Sequence, residues 1–234
     1  MRLFLTSNIG GIKKENGQKT PINFSEDNNF LKNMKKSIKD YNKFIIIASN
    51  PNDYKQNDEY LKLDIKALAL SGLHFDENVV LDNRNKKDID MVLNNSSLIF
   101  LSGGNTFQQN VFFHDINLKK YIKKTDACIV GISAGSINSA KIVFNSPEEA
   151  KDLVNPTILE GLDLTTINVE PHFDYESINE IQIASIIKES NNRIIYGLPD
   201  KSYIFNNKIY GKCYRIYKEN IEIISNDNES IDVY

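Results

Sequence analysis

Five short runs of uninterrupted apolar residues, at 3–5, 44–48, 79–81, 98–101 and 128–130, set the tightest limit on how this chain folds. A strand with one wet face alternates apolar and polar residues, so a run without alternation belongs to a strand covered on both faces. Between the runs lie longer segments, 30–41, 54–71, 87–94 and 106–124, whose intermittent apolar residues can line one side of a helix. This alternation predicts a parallel sheet with helices on both sides. Past residue 165 the texture changes. Segments 166–169, 193–196, 202–205, 208–210 and 214–217 read as strands separated by tight polar turns, with Asn206-Asn207 and Glu219-Asn220 as hairpin turns and a helix around 178–189. The C-terminal third is expected to add antiparallel strands at one side of the sheet.

The 234 residues, 41% of them hydrophobic, suffice for one sizeable core. With no linker, internal repeat or shift in composition, a single domain spanning 1–234 is expected. A net charge of -3 and scattered lysines argue against nucleic acid or an anionic membrane as partner. The N-terminus lacks the long apolar stretch and small-residue cleavage site of a signal peptide, and no segment approaches the roughly 18 apolar residues of a spanning helix, so a cytoplasmic location is expected. Cys128 and Cys213 lie in no C-x-x-C pair and near no histidine cluster, and Cys128 sits inside an apolar run; neither a disulfide framework nor a metal site is indicated, and no cofactor is expected.

The fifth run leads into Gly131-Ile132-Ser133-Ala134-Gly135-Ser136. In a G-x-S-x-G turn the flanking glycines let a strand bend sharply into a helix, which lifts the serine hydroxyl clear of the sheet. Ligands collect at the carboxyl ends of strands in such sheets. Four strand ends offer, in chain order, the loop Ser102-Gly103-Gly104-Asn105-Thr106, the Ser133 turn, Glu170-Pro171-His172-Phe173 and Gly197-Leu198-Pro199-Asp200.

A serine becomes nucleophilic when a base takes its proton, and imidazole titrates in the useful range. Of three histidines, His74 and His114 fall in or beside helices, whereas His172 follows a strand and a restraining proline. His172 is therefore the expected base. Asp200 is the expected acceptor for its other nitrogen, with Glu170 and Asp174 as substitutes. The chain order Ser, His, Asp differs from that of ordinary α/β-hydrolases. The amides of Ala134 and Gly104 are expected to receive the oxyanion of a tetrahedral intermediate, with Gly103, Asn105 and Thr106 lining the substrate site. Phosphate binding at the same glycine loop is the other reading of that segment, although it lacks both G-x-x-x-x-G-K-[ST] and G-x-G-x-x-G.

Four blocks taken together, Ser-Gly-Gly-Asn-Thr-Phe-Gln (102–108), Gly-Ile-Ser-Ala-Gly-Ser (131–136), Pro-His-Phe (171–173) and Gly-Leu-Pro-Asp (197–200), resemble the peptidase E (aspartyl dipeptidase) family of serine peptidases, related to cyanophycinase. The resemblance implies a class I glutamine amidotransferase-like α/β/α three-layer sandwich and an intracellular, metal-independent exopeptidase acting on short peptides. It implies Ser133 as nucleophile, His172 as base and Asp200 as third member, with Gly104 and Ala134 at the oxyanion hole. Asp200 stands where peptidase E carries glutamate. The family's aspartate-binding arginine is expected after Pro-His-Phe, yet 174–187 contains no arginine or lysine and does contain Asp174, Glu176 and Glu180. A weak or absent preference for aspartate is the expectation. A serine esterase or amidase on a non-peptide substrate, or a noncatalytic ligand-binding relative, are the other readings, and a monomer or homodimer is expected.

Overall fold

The computed structural model describes residues 1–233. In its first half the chain runs through β1 (Arg2–Thr6), β2 (Gly10–Glu15), β3 (Gln18–Phe24), α1 (Phe30–Ser37), β4 (Lys43–Ile47), α2 (Tyr54–Leu70), β5 (Glu77–Leu81), α3 (Ile89–Leu93), β6 (Leu98–Leu101), α4 (Thr106–Asp115) and α5 (Leu118–Ile122). It continues through β7 (Cys128–Ile132), α6 (Ala134–Asn138), β8 (Ile142–Phe144), β9 (Ile158–Glu160), β10 (Asn168–Pro171), α7 (Glu180–Glu189) and β11 (Ile195–Leu198). The last strands are β12 (Tyr203–Phe205), β13 (Lys208–Tyr210), β14 (Cys213–Tyr217), β15 (Asn220–Ser225) and β16 (Ser230–Asp232).

All five apolar runs become neighbours in one sheet, in the order β1-β7-β6-β4-β5, and every pairing among them is parallel. Their side chains divide by parity. Phe44, Ile46, Leu98, Phe100, Cys128 and Val130 point toward α1 and α2, where they meet Phe30, Leu31, Met34, Ala67 and Leu68. Ile45, Ile47, Ile99, Leu101 and Ile129 point the other way, onto residues of α3, α4 and α5 such as Leu93, Phe112, Phe113 and Ile122. Burial on both faces is the reason these strands need no polar alternation.

The C-terminal third corrects the expectation of a simple antiparallel addition. Strands β12, β13 and β16 do extend the large sheet, antiparallel, beyond β1. The others form a second sheet, β10-β11-β14-β15, in which β10 and β11 are parallel. This sheet faces the large one through Val169, Tyr196, Leu198 and Cys213 packed against Leu5, Ile204 and Ile209. Its far face holds Phe173, Ile195 and Ile216 with Ile186 of α7.

Three local readings also change. The segment read as one helix from 106 to 124 is two, broken where Asn117 turns left-handed at φ 49°. The hairpin after β14 turns on Lys218 and Glu219, both at positive φ, one residue earlier than Glu219-Asn220 suggests, while Asn206 and Asn207 do form the left-handed pair between β12 and β13. Residues 10–24, to which the apolar pattern assigns no element, pair as the hairpin β2–β3 and lie against α2.

Candidate active site

Ser133 occupies the turn between β7 and α6 with φ 51° and ψ -109°, a conformation L-residues rarely adopt. The turn survives because its surroundings leave the backbone no alternative. A Cβ on Gly135 would stand 2.1 Å from the Leu101 carbonyl oxygen of the neighbouring strand. The Ser133 amide donates to the Thr6 carbonyl (3.0 Å), and the buried Ser136 hydroxyl accepts from the Thr6 amide at 2.7 Å. The elbow is thus stitched to the end of β1.

The second sheet carries His172, the residue expected to act as base. In the β10–β11 register Pro171 lies opposite Leu198, so the chains leaving both strands emerge side by side: His172 from one, Pro199 and Asp200 from the other. The Nδ1 of His172 lies 2.6 Å from Asp200 Oδ1. Both side chains keep about half of their surface exposed. The hydrogen bond from His172, reinforced by its charge and by Asn8, holds the Asp200 carboxyl below its ordinary range despite partial burial. Asp200 is an anion at neutral pH, which selects the imidazole tautomer carrying its proton on Nδ1 and leaves Nε2 as an acceptor. Glu170 and Asp174 are not engaged with the ring. The Glu170 carboxylate takes hydrogen bonds from Ser146 (2.7 Å) and Gln182 (2.9 Å), and Asp174 is bonded to Ser177 (2.7 Å).

The end of β1 joins the two halves. Thr6 lies opposite Ile132 in the β1–β7 register, which sets Ser7 beside Ser133. The Ser7 hydroxyl donates to the Leu198 carbonyl (2.6 Å) and accepts the His172 amide (3.1 Å). Ser133 Oγ and His172 Nε2 make no hydrogen bond with each other within the described residues. Catalytic pairs are often loose without substrate and tighten on binding.

The glycine loop is the fourth wall. The β6–β7 register brings Gly103 next to the elbow, with the position of its would-be Cβ 3.6 Å from Ser133 Cβ. Gly104 has φ 142°, and a Cβ there would strike the Ser49 hydroxyl at 2.4 Å. Neither the Gly104 nor the Ala134 amide has an acceptor among the described residues. A buried amide network fixes loop and elbow together: Gln109 donates to the Ser102 carbonyl (2.6 Å), and Asn138 donates to the Thr106 carbonyl and to Gln109 Oε1, both at 3.0 Å.

Residues 14–209, most of the chain, match the sequence model of peptidase family S51. This chain is a member of that family. As an S51 member it is a serine-type peptidase. Two solved structures share its fold: a peptidase from an acI-B1 Actinobacterium (TM-score 0.64, 14% identity, covering 99% of this chain and 96% of that one) and a candidate peptidase E from Listeria monocytogenes EGD-e (TM-score 0.60, 17% identity, 100% and 98%). No curated protein sequence matches the chain. Among the described residues no helix is long and apolar enough to cross a membrane.

At the candidate site three features lie outside the sequence reading. Asn105, expected to line the substrate site, caps α4: its Oδ1 accepts the Gln108 amide at 2.8 Å. A cation does reach the acidic stretch after Pro-His-Phe, but from the β13–β14 turn, where Lys212 lies over the Tyr214 ring and adds to the hydrogen bonds from Ser177 and the Glu176 amide that lower Asp174. The residues that sequence reasoning missed reach the site with short polar side chains: Ser7 and Asn8 at the end of β1, and Ser49 just past β4. The strand-end rule applied to every strand of the sheet would have found all three.

Proposed function

We propose that this S51 member is a serine exopeptidase of the dipeptidase type, hydrolysing short peptides through Ser133, His172 and Asp200. The observation that carries the reading is the 2.6 Å His172–Asp200 pair presented beside a strained serine elbow. In this mechanism His172 Nε2 takes the Ser133 proton as Oγ attacks the scissile carbonyl, and the amides of Ala134 and Gly104 receive the oxyanion. The imidazolium then protonates the leaving amine. Water, deprotonated by the same nitrogen, releases the acyl group from Ser133. Gly103 gives the substrate room beside the nucleophile and Thr106 borders it at the start of α4. The fold is inferred to be the three-layer, class I glutamine amidotransferase-like sandwich, and the protein to act in the cytoplasm.

Specificity is inferred to be weak toward aspartate. The segment after His172 presents Asp174, Glu176 and Glu180, and its Asp174 already faces Lys212, so a substrate carboxylate meets repulsion there. The test is mass spectrometry of a dipeptide and tripeptide library incubated with wild type and with Ser133→Ala. Cleavage confined to the wild type, with no large excess of Asp-Xaa products, supports the reading. Equal product from both proteins overturns the serine mechanism, and turnover of Asp-Xaa far above all other dipeptides overturns the specificity.

A further inference from the structure

We propose that the carboxyl end of β1 is the positioning template of the triad, with Ser7 and Asn8 as its positioning residues; the inference rests on the triad reading above. Three consecutive residues each hold one member of the triad. Thr6 binds the Ser133 amide through its carbonyl (3.0 Å), Ser7 binds the His172 amide through its hydroxyl (3.1 Å), and Asn8 donates from its side chain to Asp200 Oδ2 (3.3 Å).

The need for such a template is visible in the backbone. Ser133 and His172 both sit at positive φ, 51° and 57°, each a strained conformation that persists only where neighbours enforce it. They also belong to different sheets, so neither sheet's own ladder fixes the distance between them. The end of β1, a strand of the large sheet beside β7, reaches across to the second sheet and does. Ser7 is fully buried, and its hydroxyl uses both its donor and an acceptor site, bridging Leu198 at the end of β11 to His172 just past β10.

Asn8 acts on the carboxylate. The Gly10 amide donates to its Oδ1 at 3.0 Å, which assigns the amide orientation and turns the NH2 group toward Asp200. Asp200 then has one partner on each oxygen, His172 on Oδ1 and Asn8 on Oδ2, so the plane of the carboxylate is set. The Lys201 amide donates to the Asn8 carbonyl (3.1 Å) and anchors the main chain next to Asp200. Small misplacements of catalytic groups cost large factors in rate, about 100-fold for an ångström.

The experiment measures kcat and KM, on the library peptide that wild type cleaves fastest, for Ser7→Ala, Asn8→Ala, Asp200→Ala and the double variant Asn8→Ala/Asp200→Ala. Positioning predicts that Ser7→Ala and Asn8→Ala lower kcat about 10- to 100-fold with little change in KM. It also predicts that the double variant is no slower than Asp200→Ala alone, because Asn8 acts only through Asp200. Losses that multiply in the double variant, or wild-type kcat in Asn8→Ala, overturn the proposal. Asn8 is exposed, so its replacement decides the matter even where the buried Ser7→Ala variant fails to fold. Absence of Ser133-dependent cleavage by wild type would overturn both this inference and the proposed function; retained cleavage with an unaffected Asn8 variant overturns this inference alone.

Discussion

The two sheets hold their parts of the site by different physics. On the large sheet the serine elbow is locked by contact: glycine against the Leu101 carbonyl, and a buried amide network between α4 and α6. On the second sheet the histidine and aspartate stand half exposed on turns held by a few hydrogen bonds. Two residues before His172 lies Glu170, 2% exposed, with one carboxyl oxygen that has no hydrogen-bond partner among the described residues. A nucleophile must be placed and stay placed. A general base must change charge in every turnover, and access to water accommodates that change. The difference implies that substitutions on the large sheet act through packing at any pH, whereas those on the second sheet act through charge.

The largest effect that tests this division is Asp200→Asn. It keeps the shape of the side chain, removes the charge and allows the wrong imidazole tautomer, so kcat is expected to fall by on the order of 10³- to 10⁴-fold while the melting midpoint moves little. A loss of stability in place of the loss of rate would break the comparison. On the other sheet Gly135→Ala drives a methyl to 2.1 Å from the Leu101 carbonyl oxygen. A destabilisation of about 3 kcal/mol by denaturant titration is expected, equal at pH 5 and pH 8.

Glu170 provides the pH-dependent counterpart. Burial pushes its carboxyl from the ordinary 4.5 up to about 7, against the hydrogen bonds from Ser146 and Gln182. Between those values the folded chain keeps a proton that the unfolded chain has released, so stability falls as pH rises from 4.5 to 7 and levels off above. Glu170→Gln is expected to remove that slope and to be more stable than wild type at pH 8 by about 3 kcal/mol. Parallel stability profiles for the two proteins would show that the buried carboxyl is already ionised at neutral pH. The smallest effect concerns Asn105. Its capping bond predicts that Asn105→Ala costs about 1 kcal/mol in stability with KM unchanged, and a raised KM would return the residue to the substrate site.

Much of this architecture was legible beforehand, for reasons that differ by region. Runs such as Phe44-Ile45-Ile46-Ile47 admit only a strand covered on both faces, and α2 follows its periodicity to within one residue of the expected end. The β2–β3 hairpin was not legible because most of its side chains face water and leave no apolar pattern. The break at Asn117 was missed because residues before and after it both bury apolar faces, and only the turn geometry separates the two helices. In the last third, strand positions were readable, but short strands carry no mark of which sheet they join.

The candidate triad was legible because its chemistry is local: a serine between glycines, a histidine after a proline, an aspartate after Gly-Leu-Pro, each at a strand end. Those residue types at those positions follow from covalent geometry and periodicity, which a sequence carries by itself. The pairing of His172 with Asp200, the freedom of Glu170 from that pair, and the gathering of three loops around Thr6, Ser7 and Asn8 were decided only by tertiary structure. They depend on strand register and on the packing of one sheet against another. Such contacts link residues up to about 190 positions apart in the chain, a separation over which no local pattern in the sequence extends.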